Sequence, residues 1–271
     1  MKTSFFWPLA LLTLVACQPQ QADIPPALAE LVEQIRQTHA PDKRVALFDV
    51  QIERSGQEWL LAGETNLPQG LQELEEGLKA MDIAAQLQIS LLPDTSLQGK
   101  TFGLVNLSAC NIRSEPKHSA ELATQALLGT PLRVYKASGS WYLVQSPDGY
   151  LGWLDAGGLA LMDEQEMHAW QQAPKAVYLP DMGLARAQPR TDAQPVSDLL
   201  AGNILQIDDK AGDFARVRYP DGRLAYVPAA ELMAYPDWLA SRQPTAENII
   251  RSAFAFMGRP YLWGGTSGKG V

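Results

Sequence analysis

The sequence predicts a string of small domains: an α+β domain, then two small β-barrels, then the opening helix of a further α+β domain. Three observations predict it. Residues 27–99 alternate between helical and strand periodicity in an order that suits an α+β unit. The middle of the chain repeats itself at a constant offset of 73 residues, with short strand-like runs and tight turns in each copy. Residues 244–271 combine a capped helical pattern with an aromatic, double-glycine run. The bulk numbers agree with a folded chain, since 46% of the 271 residues are hydrophobic and 19% charged. A net charge of −8 with no Lys/Arg cluster to offset it excludes nucleic acid as a natural partner.

Taken in order, Lys2 gives a short positive start and Phe5–Val15 an apolar run too short to span a bilayer comfortably. The run ends in Leu14-Val15-Ala16-Cys17, which resembles the lipobox of bacterial lipoproteins. That resemblance implies a signal peptide at 1–16, cleavage before Cys17, and a diacylglycerol on its thiol that makes a membrane the partner of the N-terminus. Residues 17–26, rich in Gln, Pro and Ala, then read as a tether. The lipoprotein signal does not itself say which membrane holds the chain; in bacteria that sort lipoproteins by the residue after the cysteine, Gln18 rather than Asp favours the periplasmic side of the outer membrane.

In the first domain, Leu28, Leu31, Val32 and Ile35 recur with helical spacing and predict a helix over Pro26–His39. Strands are expected over Arg44–Arg54 and Glu58–Glu64, joined by a turn at Ser55-Gly56. Leu71, Leu74, Leu78 and Met81 share the face of a second helix opened by Leu67-Pro68, and Ala85–Leu92 is a third strand. The acidic cluster Glu73, Glu75 and Glu76 reads as a solvated helix face, and no catalytic constellation stands out here.

The repeat aligns Arg113-Ser-Glu-Pro116 with Arg186-Ala-Gln-Pro189, Gly129 with Gly202, and Pro147-Asp-Gly149 with Pro220-Asp-Gly222. Each copy reads as an irregular loop followed by three short strands, with Pro-Asp-Gly turning between the last two. The pattern resembles the bacterial SH3-like domains of cell-wall proteins, at 100–163 and 174–234. Trp141, Val144 and Trp153 become Phe214, Val217 and Tyr226, and aromatics kept at matching positions are expected in the core.

A repeat carries its own control. Positions that agree serve the fold both copies need, and polar positions that differ are freer to serve function. Glu115 becomes Gln188 and Tyr150 becomes Arg223, so the first copy alone has a carboxylate in its loop and a phenol after its turn. Surface drift would produce the same two differences. Cys110, flanked by Leu107 and Ile112, is expected as a small buried apolar residue.

After a connector at Trp238–Pro244, Thr245 is a good N-cap, Glu247 suits the positive end of the helix dipole, and Ile249, Ile250, Ala253 and Phe256 form an apolar face ending at Gly258. This helix, followed by Gly258-Arg-Pro-Tyr-Leu-Trp-Gly-Gly265 and Lys269-Gly-Val271, resembles the opening of the NlpC-type cysteine peptidases, whose catalytic domain is papain-like. In that family Asp-Cys-Ser would come next, with the thiolate at a helix N-terminus and a His supplied later. His39, His118 and His168 all precede the motif, so the resemblance implies that the nucleophile lies beyond Val271 and that this chain is catalytically incomplete.

Tandem SH3-like domains before such a peptidase narrow the resemblance to the γ-D-glutamyl-L-diamino acid endopeptidases. It implies a murein stem peptide with a free N-terminal L-Ala as substrate, contacted by the first SH3-like domain. On the matching positions it implies substrate-binding roles for Glu115, Tyr150 and Tyr261. A free ammonium bonded to an ionised Glu115 would be one of the stronger polar contacts. Neither metal nor cofactor is implied, since no His/Cys/Asp cluster has ligand spacing. The competing expectation is a non-catalytic wall-binding lipoprotein. A binder has no use for Pro-Tyr-Leu-Trp-Gly-Gly, and that run favours the peptidase.

Overall fold

Pro26 opens the first helix, α1 (Pro26–His39), and its Leu28, Val32 and Ile35 face inward at the spacing of one helical stripe. They pack with Leu74 and Leu78 of α2 (Pro68–Ala80) on one face of a three-stranded sheet, whose Phe48, Val50 and Leu61 complete the core. The structure is a computed structural model, and it describes residues 24–271 apart from Gln57; the signal peptide, Cys17 and most of the tether lie outside the described residues. The sheet runs β1 (Phe48–Ser55), β2 (Glu58–Thr65), β3 (Ala85–Leu91), the first pair antiparallel and the second parallel with α2 as the crossover. The first strand starts later than expected from Arg44. Asp42 takes that segment into a turn, accepting from the backbone N–H of Arg44, while its carbonyl accepts from Val45 and Ala46.

The repeat is exact in chain length. The first copy holds β4 (Phe102–Val105), β5 (Ala109–Arg113), β6 (Leu122–Leu127), β7 (Pro131–Ser138), β8 (Trp141–Gln145), β9 (Leu151–Asp155) and β10 (Leu159–Met162). The second holds β11 (Lys175–Tyr178), β12 (Met182–Arg186), β13 (Pro195–Leu200), β14 (Ile204–Ala211), β15 (Phe214–Arg218), β16 (Leu224–Pro228) and β17 (Leu232–Ala234), each starting 73 residues after its counterpart. Both sheets share one order, β10-β4-β7-β8-β9-β5-β6 and β17-β11-β14-β15-β16-β12-β13. Seven strands per copy replace the simpler loop and three strands read from the sequence. The extra strands, β4, β5, β6 and β10 with their counterparts, are three to six residues long and lie outside the three runs that the glycine and Pro-Asp-Gly turns separate.

Not all the shared aromatics are core. Trp141, Val144 and Val217 are buried, but Trp153, Phe214 and Tyr226 are only half-buried. Along β9, Gly152 and Leu154 point inward, so the strand's period of two turns Trp153 outward, where the Lys136 ammonium sits 5.3 Å from its ring. Cys110 does lie in the first core with Ile112, Val134, Val144 and Leu154, and burial raises its thiol pKa to about 12.

The two barrels are joined tightly. Leu128, in the turn after β6, is fully buried and belongs to the hydrophobic cluster of the second barrel, beside Tyr178, Leu199 and Leu205. Asn203 is fully buried and donates from Nδ2 to the Ser108 carbonyl at 2.8 Å, while the Leu200 N–H donates to its Oδ1. Gly129, at φ +79°, passes so close to the Ile204 carbonyl that a Cβ there would sit 2.3 Å from its oxygen. The linker between the copies is a helix, α3 (Glu164–Gln172), closed at its start by a reciprocal capping box between Asp163 and Glu166. The connector after the second barrel is also partly helical, α4 (Tyr235–Ser241), and α5 (Ala246–Ala255) follows with Thr245 as N-cap, accepting from the Asn248 N–H. No helix of the described residues is long and apolar enough to cross a membrane.

Two outcomes follow from this packing. Leu128→Ala should cost about 2–5 kcal/mol, as for other fully buried leucines. Its repeat partner is the exposed Ala201, so the loss should appear in the denaturant midpoint without a matching effect from Ala201→Gly beyond about 0.5 kcal/mol. Cys110 should resist alkylation at pH 8 in the native protein and react on unfolding, as read by mass mapping of the labelled peptide; rapid native labelling would contradict its burial.

Candidate amine-binding site

The loop after β5 is built alike in both barrels. In the first, Arg113 donates from Nη1 to the Ala120 carbonyl at 2.7 Å, and the Lys117 N–H donates to the Glu115 carbonyl. In the second, Arg186 donates to the Ala193 carbonyl at 2.9 Å and the Arg190 N–H donates to the Gln188 carbonyl. The shared arginines hold the loop, and what the loop presents is the residue two positions on. Glu115 is exposed and pairs with Lys117 at 2.7 Å; Gln188 instead accepts from Arg190. An exposed ion pair of this kind contributes only ~0–1 kcal/mol, so Glu115 can exchange Lys117 for another cation at little cost.

Tyr150 lies near the same end of the barrel. The ladder between β5 and β9 ends at Arg113 opposite Trp153, so Glu115, beyond one strand end, and Tyr150, just before the other strand, leave it together. Tyr150 is half-buried because the first domain meets the barrel here. The Leu151 N–H donates to the Arg44 carbonyl at 2.7 Å, Gln145 Nε2 donates to the Val45 carbonyl at 2.8 Å, and the Arg44 guanidinium lies 5.9 Å from the Tyr150 ring. The same turn in the second barrel meets the first barrel instead, where Arg223 donates to the Asn106 carbonyl. The contrast between Tyr150 and Arg223 therefore also reflects which neighbour each turn touches. Arg44 was not legible as part of this region, because only the fold brings it there.

Tyr261 sits on a closed loop. The Leu262 N–H donates to the Val271 carbonyl and the Val271 N–H to that of Pro260. Tyr261 is 78% exposed and Trp263 63%. The loop lies on the outer edge of β6. Thr266 donates from its N–H to Gln125 Oε1 at 3.1 Å and from its hydroxyl to the Gln125 carbonyl, covering an otherwise open sheet edge. Gly264, at φ +70°, approaches the Leu122 carbonyl so closely that a Cβ would lie 2.6 Å from it. Leu122 is the first residue of β6, reached by the chain directly from the Glu115 loop. Fold and docking thus bring Glu115, Tyr150 and the Tyr261 loop to one barrel; among the described residues no hydrogen bond or ion pair joins the three side chains to one another.

The histidines are dispersed. His39 faces Glu73 in the first domain, His168 is exposed on α3, and His118 packs tilted against Trp141, with ring centres 4.9 Å apart and planes at 58°. His118 and Cys110 line one groove of about 360 Å³, together with Arg113, Trp141 and Asp155, but a buried thiol with a raised pKa is not a nucleophile. Among the described residues no group of three or more His, Cys, Asp or Glu is gathered to hold a metal ion.

Comparison with known proteins agrees with this layout. Residues 112–159 match the family described as the bacterial dipeptidyl-peptidase Sh3 domain, and residues 185–233 match the bacterial SH3 domain family. Over 167 residues the chain is 23% identical to dipeptidyl-peptidase 6 of Lysinibacillus sphaericus, covering 59% of this chain and 61% of that protein. Over 158 residues it is 25% identical to γ-D-glutamyl-L-lysine dipeptidyl-peptidase of Bacillus cereus (strain ATCC 10987 / NRS 248), covering 55% and 46%. The chain thus spans about half to three-fifths of the length of these relatives. Its fold is similar to the solved structure of an NlpC/P60 family protein from Bacillus cereus ATCC 10987, with a TM-score of 0.50 and 21% identity over 63% of this chain and 68% of that one. This chain thus holds two bacterial SH3 domains in tandem, the first of them matching the dipeptidyl-peptidase type.

Proposed function

We propose that this chain belongs to a lipid-anchored cysteine peptidase of the cell envelope, held through Cys17 on the periplasmic side of an outer membrane. It would hydrolyse the bond between γ-D-Glu and the diamino acid in murein peptides with a free N-terminal L-Ala. The observation that carries this reading is the docking of the Tyr261 loop on the same barrel that presents Glu115 and Tyr150. The relatives named as dipeptidyl-peptidases, one of them for γ-D-glutamyl-L-lysine, support the reaction class.

In this reading Glu115 releases Lys117 and accepts from the substrate's terminal ammonium, in a charge-assisted bond that an N-acylated peptide or sugar-linked wall cannot form. Tyr150 closes one side of that position, with Arg44 behind it, and Tyr261 borders the other. Fixing the amine end places the second peptide bond at a set distance, which is how such an enzyme would release dipeptides. The chemistry is thiolate attack on the γ-D-Glu carbonyl to a tetrahedral oxyanion, whose collapse breaks the C–N bond and releases the diamino acid as a protonated amine. Water then hydrolyses the acyl-enzyme that is left, freeing the thiol and the dipeptide carboxylate. Cys110, buried in the core of the first barrel, is unfit to be that thiol.

Glu115→Gln, in the protein as produced from its gene, should lower kcat/KM for a free L-Ala peptide by about 10- to 150-fold, the ~1.5–3 kcal/mol of a hydrogen bond to a charged group. The N-acetylated peptide, already poor, should change little. Equal losses on both peptides would remove Glu115 from the amine site.

A further inference from the structure

The repeat relates two further pairs of positions, and all four residues meet the Tyr261 loop. Ser108 corresponds to Asp181 and Gln125 to Asp198, each 73 residues on. From the first barrel, Ser108 lies 3.2 Å from Lys269 Nζ, and Gln125 accepts from the Thr266 N–H and, at 3.0 Å, from the Ser267 hydroxyl. From the second, Asp198 pairs with Lys269 at 2.8 Å and Asp181 pairs with Arg259. The first barrel thus offers neutral hydrogen-bonding groups and the second offers carboxylates, at the same two repeat positions. The loop answers Gln125 with hydroxyls and an N–H, and the two carboxylates with two cations, Arg259 and Lys269, of which Lys269 also reaches the Ser108 hydroxyl. Complementarity at four repeat-related positions is more than the scatter of surface ion pairs.

The helix that leads into the loop does not hold it. No residue of α5 is buried, and Ile249, Ile250 and Phe254 are 54–66% exposed. Among the described residues, the placement of Tyr261 therefore rests on the loop's contacts with the barrels. Gln125 is anchored in turn, since its Nε2 donates to Asn111 Oδ1 across the β5–β6 ladder. Asp198 also accepts from the Ser108 hydroxyl at 2.7 Å, so Lys269 joins a bond that already links the two barrels.

We infer that the second SH3 domain acts as a latch, in which Asp181 and Asp198 are positioning residues that hold the Arg259–Lys269 loop and so set Tyr261 against the amine site of the first domain. That the loop is latched stands on these contacts; what Tyr261 touches when latched rests on the function proposed above.

The test uses the full chain and reads amide hydrogen exchange over residues 262–271. Lys269→Glu alters only the loop, so the barrels keep their fold; it should speed exchange at Thr266 and its neighbours by about two- to fivefold, the scale of one exposed ion pair. Asp198→Lys should do the same, and the exchanged pair Asp198→Lys with Lys269→Glu should return most of the protection. Unchanged exchange in both single variants, or no recovery in the double variant, would overturn the latch. The second readout is the ratio of kcat/KM for the free-amine and N-acetylated peptides in the protein as produced from its gene. A falling ratio in Lys269→Glu, regained in the double variant, supports a positioning role; a ratio that stays constant while exchange rises overturns it. If the wild-type protein shows no preference for the free amine, the proposed function fails, and the exchange data still decide the latch.

Discussion

Asn203 uses both ends of its amide in a place with no solvent, accepting from the Leu200 N–H of its own barrel and donating to the Ser108 carbonyl of the other. A buried amide is satisfied only at one relative position of its partners, and leaving it unsatisfied would cost ~1–3 kcal/mol. Leu128 adds the apolar half of the same joint by entering the second barrel's core, and Gly129 lets the Ile204 backbone approach. The two barrels are therefore one rigid frame rather than beads on a linker. Ser108, whose carbonyl closes this joint, also presents the hydroxyl that meets Asp198 and Lys269. The angle between the barrels and the seat of the Tyr261 loop are set by the same few atoms.

The duplicated barrel has been put to different uses by changing what surrounds a constant scaffold. Arg113 and Arg186 hold the same loop in the same way, and the residue that loop displays is a carboxylate in one copy and an amide in the other. The Pro-Asp-Gly turns follow the same rule. Each meets the domain before it, through Tyr150 and the Arg44 turn in one case and through Arg223 and Asn106 in the other. In the function proposed here recognition falls to the first copy, at Glu115 and Tyr150, while the second copy contributes Asp181 and Asp198 to the seam with the Tyr261 loop.

The sequence made the repeat legible because every strand keeps the 73-residue offset, and the first helix because its apolar stripe and Pro26 mark both its face and its start. Comparison of the copies also singled out Glu115 and Tyr150, since both are local differences against a matched background. Other features were hidden for physical reasons. Trp153 and Tyr226 look like core by residue type, yet strand periodicity turns them outward and gives the core to Leu154 and Val227. Helix α3 is short and mostly polar, so its capping box carries more of its signal than any apolar stripe. Arg44, Gln125, Asp181 and Asp198 acquire meaning only from partners 70 or more residues away in the chain, which no local pattern reports.

If one end of the first SH3 domain recognises a free amine together with the Tyr261 loop, the backbone and side-chain NMR signals of this chain will report it as L-Ala-γ-D-Glu-diamino acid peptide is added. Shifts should gather at Glu115, Tyr150 and Tyr261, with Lys117 moving as it loses its partner, and none of these should appear with the N-acetylated peptide. Shifts elsewhere on the barrels, or the same shifts with both peptides, would contradict that recognition.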